Sequence, residues 1–240
     1  MFDTTMPIPQ IIFLIILIAA SYASYKTGKL TEGGAITGAL VGLCIYLGTG
    51  YTGIIMLAVF FVLSIIATSH KKQEKRKLGE AAHPQKRDAR QVLANGGLPA
   101  IVGVLATAMP DNTLLATVFM AAAFASATAD TLSSELGTVY GRRFYNILTL
   151  KPDEKGRNGV ISLEGTLMGI AGSAAIACVY SLTFGWNGTF LNILIAGTIG
   201  NLADSVLGAT LERKGYMNNN EVNFLNTFIA VITSFLLLLF

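Results

Sequence analysis

Four carboxylic acids lie within or beside long apolar stretches of this 240-residue chain. They are Asp130, Glu135, Glu164 and Asp204, and small polar residues surround them. An ionisable side chain inside an apolar helix is costly unless it faces a partner or water, so such residues mark functional sites by default. These acids are therefore the first candidates for chemistry.

Helical spacing groups the acids with other oxygen-bearing side chains. Asn201 and Asp204 are three residues apart, and Asp130 and Ser134 are four apart, so each pair shares one helix face. Carboxylate, amide and hydroxyl oxygens form the hard ligand set that Mg²⁺ prefers. The pattern predicts a Mg²⁺ site formed by the four acids, in which Asp130, Asp204 and Glu135 have the catalytic role.

Two other interpretations of the acids stay open at this point. The acids can hydrogen-bond between helices or pair with Arg142, Arg143 or Arg213 near the helix ends. They can also carry protons or cations, but such a pathway predicts acids spread through the membrane depth. The outer halves of these apolar stretches hold none.

A basic segment that contains glycines, residues 150–160, leads directly into one of the apolar stretches. Lys155 and Arg157 supply positive charge, and Gly159 allows close approach of the backbone. Because the free N–H groups of the next helix begin near Ser162, the segment suits an anionic phosphate group. The chain has neither a Walker A pattern nor a protein-kinase signature, so any nucleotide site here is of another type.

Asn95 stands in the segment Asn-Gly-Gly-Leu-Pro, which is predicted to open the fourth apolar stretch. Asn or Gly caps a helix here and Pro99 fits its first turn, so capping is the first interpretation of Asn95. A contact between Asn95 and the nucleotide is the second. Asn223 and Asn226, at the start of the last stretch, are also interpreted as caps.

The elements that must position these residues are membrane-spanning helices. The chain is 52% hydrophobic and only 13% charged, whereas soluble domains carry about 25% charged residues. Several apolar runs have the length that crosses a hydrocarbon core of about 30 Å as a helix, and they lack the alternation of a β-barrel. We predict one all-α polytopic domain over residues 1–240, with spans at 8–25, 33–48, 51–68, 97–109, 113–133, 160–183, 189–208 and 223–240.

Charge alternates between the two sides of these spans. All 17 Lys and Arg residues fall in segments 26–32, 69–95, 134–159 and 209–222, and the positive-inside rule makes that side cytoplasmic. We predict a multi-pass protein of the plasma membrane with a cytoplasmic active face, on which 134–159 is the active-site loop. The basic loop 69–95 either touches anionic lipid headgroups or covers a polyphosphate site.

Two short similarities are typical of an internal repeat. Residues 35–42 resemble 162–169, and residues 129–132 resemble 203–206, each pair running in the same direction across the membrane. A stripe of small residues on the sixth span predicts close packing against another helix; it consists of Gly165, Gly169 and Gly172.

Four segments, residues 129–138, 156–166, 200–212 and 221–225, together resemble the domain-of-unknown-function 92 family. The match runs in order from about Gly28 to the C terminus. That family includes transmembrane protein 19 and the phytyl-phosphate kinases of tocopherol and phylloquinone synthesis. The resemblance implies an enzyme that phosphorylates a membrane-embedded isoprenoid monophosphate to the diphosphate, with Mg²⁺ and a nucleoside triphosphate such as CTP.

The resemblance also implies site residues, by their position in the family motifs: Asp130, Glu135, Asn158, Ser162, Asp204 and Ser205. The chain departs from the usual family pattern at Glu164 and Glu212. Combined with the argument from residue type, this predicts a phosphate and nucleotide site formed by Lys155, Arg157, Asn158, Gly159, Ser162, Asn201, Ser205 and Asn95.

We expect a lipid-soluble prenyl monophosphate, a nucleotide and membrane lipids as partners, and no nucleic acid; a homo-oligomer stays open. The main alternative is a cation-coupled transporter or lipid translocator that uses the same acidic cluster. A non-catalytic membrane scaffold is a third hypothesis.

Overall fold

The computed structural model describes residues 8–77 and 86–240, so residues 78–85 of the predicted basic loop lie outside it. The predicted all-α bundle is confirmed, and seven of its helices are long and apolar enough to cross a membrane. The described helices are α1 Ile8–Lys26, α2 Glu32–Ser69, α3 Lys72–Lys77, α4 Ala89–Ala108, α5 Thr113–Tyr140, α6 Leu163–Phe184, α7 Gly188–Leu207 and α8 Asn219–Leu237.

Helix α2 is a hairpin of two antiparallel segments. Gly50 has φ 63° and ψ −147°, a conformation that glycine adopts readily and that breaks the helix. A Cβ placed on Gly42 would stand 3.7 Å from Leu57 Cδ2, although a straight helix would separate residues 42 and 57 by about 22 Å. The chain therefore reverses at Gly50, so the described residues contain eight segments of membrane-spanning length, in agreement with the eight predicted spans.

Helix α4 begins earlier than the predicted span 97–109. Asp88 accepts a hydrogen bond from the Gln91 N–H, and the Gln91 side chain accepts one from the Asp88 N–H, which forms a capping box. The helix then runs through Asn95 and Pro99. The prediction that Asn95 opens this helix is wrong, because a polar turn with its own cap precedes the apolar stretch.

The start of α8 differs from the prediction in the same way. Asn218 caps this helix and forms a capping box with Glu221. Asn223 and Asn226 are interior helix residues and not caps. Helix α5 also continues to Tyr140, so the first seven residues of the predicted loop 134–159 are helical.

Helix α5 is the centre of the bundle. Every residue from Met120 to Ala129 is buried, and α6 packs closely against this stretch. The glycine stripe of α6 makes that approach possible, because Cβ atoms at its three positions would stand 2.8 to 3.2 Å from the α5 backbone. The predicted packing role of the stripe is confirmed.

One end of the bundle, here called the basic face, carries the helix ends and connections that hold the Lys and Arg residues. It comprises 26–31, 70–77, 86–90, 141–162 and 213–218. Contacts tie these segments together: Thr31 N–H donates to the Arg87 carbonyl at 3.0 Å, and the His70 and Tyr140 side chains are 2.7 Å apart. A two-stranded antiparallel hairpin, β1 Tyr145–Asn146 and β2 Val160–Ile161, orders the longest of these connections.

Candidate active site

A polar cavity of about 350 Å³ opens at the basic face, where α5 and α7 end and α6 begins. Its walls include most of the residues that the sequence singles out: Asp130, Glu135, Asp204, Arg157, Asn158, Gly159, Ser162, Asn201, Ser205 and Asn95. They come from three helices and the connection 141–162, which are far apart in sequence. The fold therefore brings them to one place.

Asp130 and Asp204 meet inside the cavity. Both side chains line it, close enough for the charge of one carboxyl group to act on the other. Asn226 Nδ2 donates to Asp204 Oδ1 at 2.8 Å, and Ser126 Oγ donates to Asn226 Oδ1 at 3.0 Å. Because Asn226 and Ser126 are fully buried, they fix the orientation of the Asp204 carboxylate from behind.

Asn201 is a second oriented polar group. Its side chain is 4% exposed, and its Oδ1 accepts a hydrogen bond from Ser133 Oγ at 3.2 Å. A Cβ on Gly169 would stand 2.6 Å from Asn201 Nδ2, so the glycine supplies the space that this amide occupies. Ser205 Oγ lies 3.5 Å from the Asn201 carbonyl, one helical turn earlier.

Glu135 forms a buried ion pair. Lys75 Nζ lies 2.5 Å from Glu135 Oε2, and the two side chains are 9% and 8% exposed. Lys75 also donates to the carbonyls of Ala67 and Thr68, at 3.0 and 3.1 Å. Lys75 thereby ties helix α3 to α5 and to the end of α2, and one oxygen of Glu135 is engaged.

Arg87 lines the cavity as well. Its guanidinium carbon lies 5.7 Å from the centre of the Phe60 ring. Burial lowers the pKa of Arg87 and the negative charge of Glu135 opposes that shift; the guanidinium stays charged at neutral pH. The cavity thus contains a cation as well as its acids.

A network around Asp153 anchors the connection 141–162 to the end of α7. The Asn146 amide, the Glu154 N–H and the Arg213 guanidinium all donate to its carboxylate, and they lower the pKa of Asp153 to about 2. Arg213 Nε also donates to the Asn158 carbonyl at 2.5 Å. This network holds Arg157 and Asn158 at the cavity wall.

Gly159 and Ser162 complete this wall. Gly159 has φ 73°, and a Cβ there would collide with Ala209, which lies in the π-helical segment Gly208–Glu212 that ends α7. Ser162 caps α6 by accepting a hydrogen bond from the Gly165 N–H at 3.1 Å. The predicted helix N-terminus is at the cavity, although its capping hydroxyl is already engaged.

Two predicted residues do not line the cavity. Lys155 Nζ lies 5.5 Å from the centre of the Phe144 ring. Glu164 stands in the first turn of α6, where its Oε2 accepts from the Arg142 N–H at 3.4 Å. Glu164 therefore lies outside the cavity that the other three acids line, and its role in a metal site stays a prediction.

The donor set fits Mg²⁺ in one specific way. Among the described residues, no three Asp, Glu, His or Cys side chains converge to enclose a metal ion. Two adjacent carboxylates, with amides beside them, match the usual Mg²⁺ arrangement in which substrate phosphates and water complete the shell. Asp130 and Asp204 are the residues that would hold the ion.

Four residues near the acids were not assigned to the site from the sequence. Glu212 and Arg87 line the cavity, Lys75 pairs with Glu135, and Asn226 supports Asp204. The capping-box pattern that follows Arg87 in the sequence indicates that Arg87 lies directly before a helix. No sequence pattern predicts the position of Lys75, because its contact with Glu135 depends on how α3 packs against α5.

Comparisons with known proteins agree with this architecture. The model of a family described as integral membrane protein DUF92 matches residues 15–231. The chain is 32% identical over 226 residues to an uncharacterised membrane protein of Methanocaldococcus jannaschii, covering 93% of this chain and 92% of that one. It is 28% identical over 224 residues to Protein VTE6, chloroplastic, of Arabidopsis thaliana, covering 87% and 65%. No solved structure matches.

Proposed function

Because this chain belongs to the DUF92 family of integral membrane proteins, we propose that it is a membrane-embedded prenyl-phosphate kinase. It transfers the γ-phosphoryl group of a nucleoside triphosphate, CTP first among them, to phytyl phosphate or a related isoprenoid monophosphate. The family resemblance supplies the substrate class, and the similarity to Protein VTE6 is in keeping with it. The cavity supplies the carboxylates and arginines that phosphoryl transfer needs.

One observation carries the proposal: two neighbouring carboxylates, Asp130 and Asp204, line one polar cavity among membrane-spanning helices. Asp130 is ten residues before the end of α5, about 15 Å from it. A lipid whose chain stays among the helices can therefore present its phosphate to the acids. A soluble nucleotide can reach the same acids from the basic face.

The reaction needs positioning and charge neutralisation more than covalent help. An oxygen of the prenyl phosphate attacks the γ-phosphorus, the bond to the β–γ bridging oxygen breaks, and the nucleoside diphosphate leaves. Arg87 and Arg157 would neutralise phosphate charge, and Asn158 and Asn201 would orient oxygens. The acceptor is already an anion, so the chain needs no strong general base.

Mg²⁺, when bound by Asp130 and Asp204, would neutralise the phosphate oxygens and align them. Asn226 and Ser126 keep the Asp204 carboxylate directed into the cavity. Glu135 would add negative charge to the cavity beside Asp130 and Asp204 while it stays paired with Lys75.

The transporter alternative requires a polar route from the acids to the opposite side. On that side of the acid pair, apolar side chains with no exposed surface pack together, such as Met120, Phe124 and Ile193. The polar Asn192 and Ser234 buried among them are hydrogen-bonded to each other. This packing favours a site that is entered from one face and from the lipid.

Phosphoryl transfer by the purified protein tests the proposal. With CTP and Mg²⁺, the protein should convert phytyl or geranylgeranyl phosphate to the diphosphate, and EDTA should stop the reaction. Nucleotide binding without turnover on any prenyl phosphate would leave a binding protein. Absence of both, with ion-gradient-dependent uptake into vesicles, would put the transporter first.

A further inference from the structure

An apolar groove between α4 and α8 leads away from the polar cavity. Its volume is about 1450 Å³. The groove and the cavity share four lining residues, so one continues into the other; these are Gln91, Asn158, Glu212 and Asn219.

The groove changes character along its length. At the basic face it is lined by Arg90, by the acids Glu212 and Glu221, and by the amides of residues 218–220. Farther along α4 it is lined by Gly97, Ile101 and Leu105, which recur on one side of the helix at intervals of four residues. From Arg90 to Leu105 this lining rises about 22 Å along the helix axis.

The groove is open toward the membrane. Leu93, Ile101, Val104 and Leu105 are about half exposed. Gly97 leaves additional room, since a Cβ there would make only ordinary contacts, at 3.8 Å from Phe224 and 3.9 Å from Leu93. The groove is therefore a lipid-accessible channel with a charged end beside the site.

We infer that this groove holds the isoprenoid chain of the lipid phosphate and limits the chain length that the protein accepts. The inference rests on the proposed function for the identity of the headgroup. Three features carry it: continuity with the acid-containing cavity, the cations Arg87 and Arg157 that line that cavity, and an apolar lining that runs from the cavity along α4. An occupant anchored by its phosphate would lie along α4 and reach Gly97 about 10 Å from Arg90.

Photolabelling tests the location directly. The probe is geranylgeranyl phosphate with a diazirine on its last isoprene unit, incubated with the detergent-solubilised protein. The label should fall on α4 between Gly97 and Leu105, and unlabelled geranylgeranyl phosphate should displace it. Labelling elsewhere overturns the inference, as does labelling that bilayer phospholipid displaces and geranylgeranyl phosphate does not.

Plugging the groove tests its role in chain length. Gly97→Leu should reduce labelling by the long-chain probe and turnover of geranylgeranyl phosphate by at least about tenfold, while geranyl phosphate is spared. Gly38→Leu is the matched control, because a Cβ at Gly38 would also make only an ordinary van der Waals contact, 3.8 Å from Leu30. Gly38 does not line the groove.

A second plug covers the case in which Gly97→Leu fails to fold. Ile101→Trp lies deeper in the groove at a half-exposed position, and it should exclude only the longer chains. Equal loss for short and long chains in both variants overturns the inference. Labelling on α4 without any turnover would contradict the proposed kinase activity and would still identify the groove as a lipid-binding site.

Discussion

At the scale of single residues, the site is defined by side chains that other side chains hold in place. Asp204 is oriented by Asn226 and Ser126, and Asn201 by Ser133. Preorganised polar groups of this kind lower the cost of bringing charge together in a poorly solvated place. The buried pair of Lys75 and Glu135 differs, because each member mainly compensates the charge of the other.

We expect Lys75→Met alone to destabilise the protein by about 3 kcal/mol, since it leaves Glu135 buried without its main partner. The double variant Lys75→Met, Glu135→Met should recover most of that loss. Thermal unfolding in detergent measures both.

Turnover by the double variant then separates two roles of Glu135. Recovered stability with recovered activity assigns Glu135 to positioning α3. Recovered stability with lost activity assigns it to the chemistry, as the sequence-based prediction holds. Equal stability of the single variant and the wild type would contradict the buried ion pair.

At the scale of elements, close helix approach creates the space for the site. Gly169→Ala should cost about 1–3 kcal/mol through overpacking, and should also lower turnover because its Cβ meets the Asn201 amide. Gly188→Ala is the matched control, since no atom lies within 4 Å of a Cβ there. Unchanged activity in Gly169→Ala would show that the position of Asn201 does not matter.

The connection 141–162 should loosen in acid. The pKa of Asp153 is lowered from 3.8 to about 2, so its tether contributes stability fully above pH 3.8 and loses that contribution as pH falls toward 2. Pepsin should cleave the wild-type connection increasingly over that range.

Asp153→Asn should be cleaved readily even at the upper end of that range, because the charged tether to Arg213 is gone at every pH. Glu154→Gln removes a neighbouring charge that makes no such contacts, and it should behave as the wild type. Cleavage of the wild type that does not change with pH would contradict the tether.

Helix ends were the part of the fold that the sequence described least well. Apolar runs locate the membrane core, so the number of crossings follows from them. Helices α4 and α8 extend beyond the core into polar residues, where Asp88 and Asn218 set their starts through capping boxes. Asn95 and Asn226 were misplaced as caps for this reason.

The candidate site was predictable in part. Intramembrane acids are expensive enough to be noticed in any sequence, which is why Asp130 and Asp204 stood out. Their mutual contact depends on the packing of α5 against α7, and the location of Glu164 depends on the direction of its side chain. Spacing within one helix contains neither kind of information.

At the scale of the whole molecule, the basic face determines orientation. We propose that it is cytoplasmic, because all 17 Lys and Arg residues belong to its segments. A single cysteine at Lys155, in a background without Cys44 and Cys178, should resist an impermeant thiol reagent added to intact cells. A cysteine at Gly185 should react, and the reverse pattern would invert the orientation.

The central claim is that Asp130 and Asp204 support phosphoryl transfer to a lipid phosphate. The most direct measurement follows label from γ-³²P-CTP into phytyl phosphate with purified protein. Wild-type protein should produce labelled phytyl diphosphate, and Asp130→Asn and Asp204→Asn should each lower the rate at least about a hundredfold while unfolding at nearly the wild-type temperature. Label transfer at the wild-type rate by both variants would contradict the account.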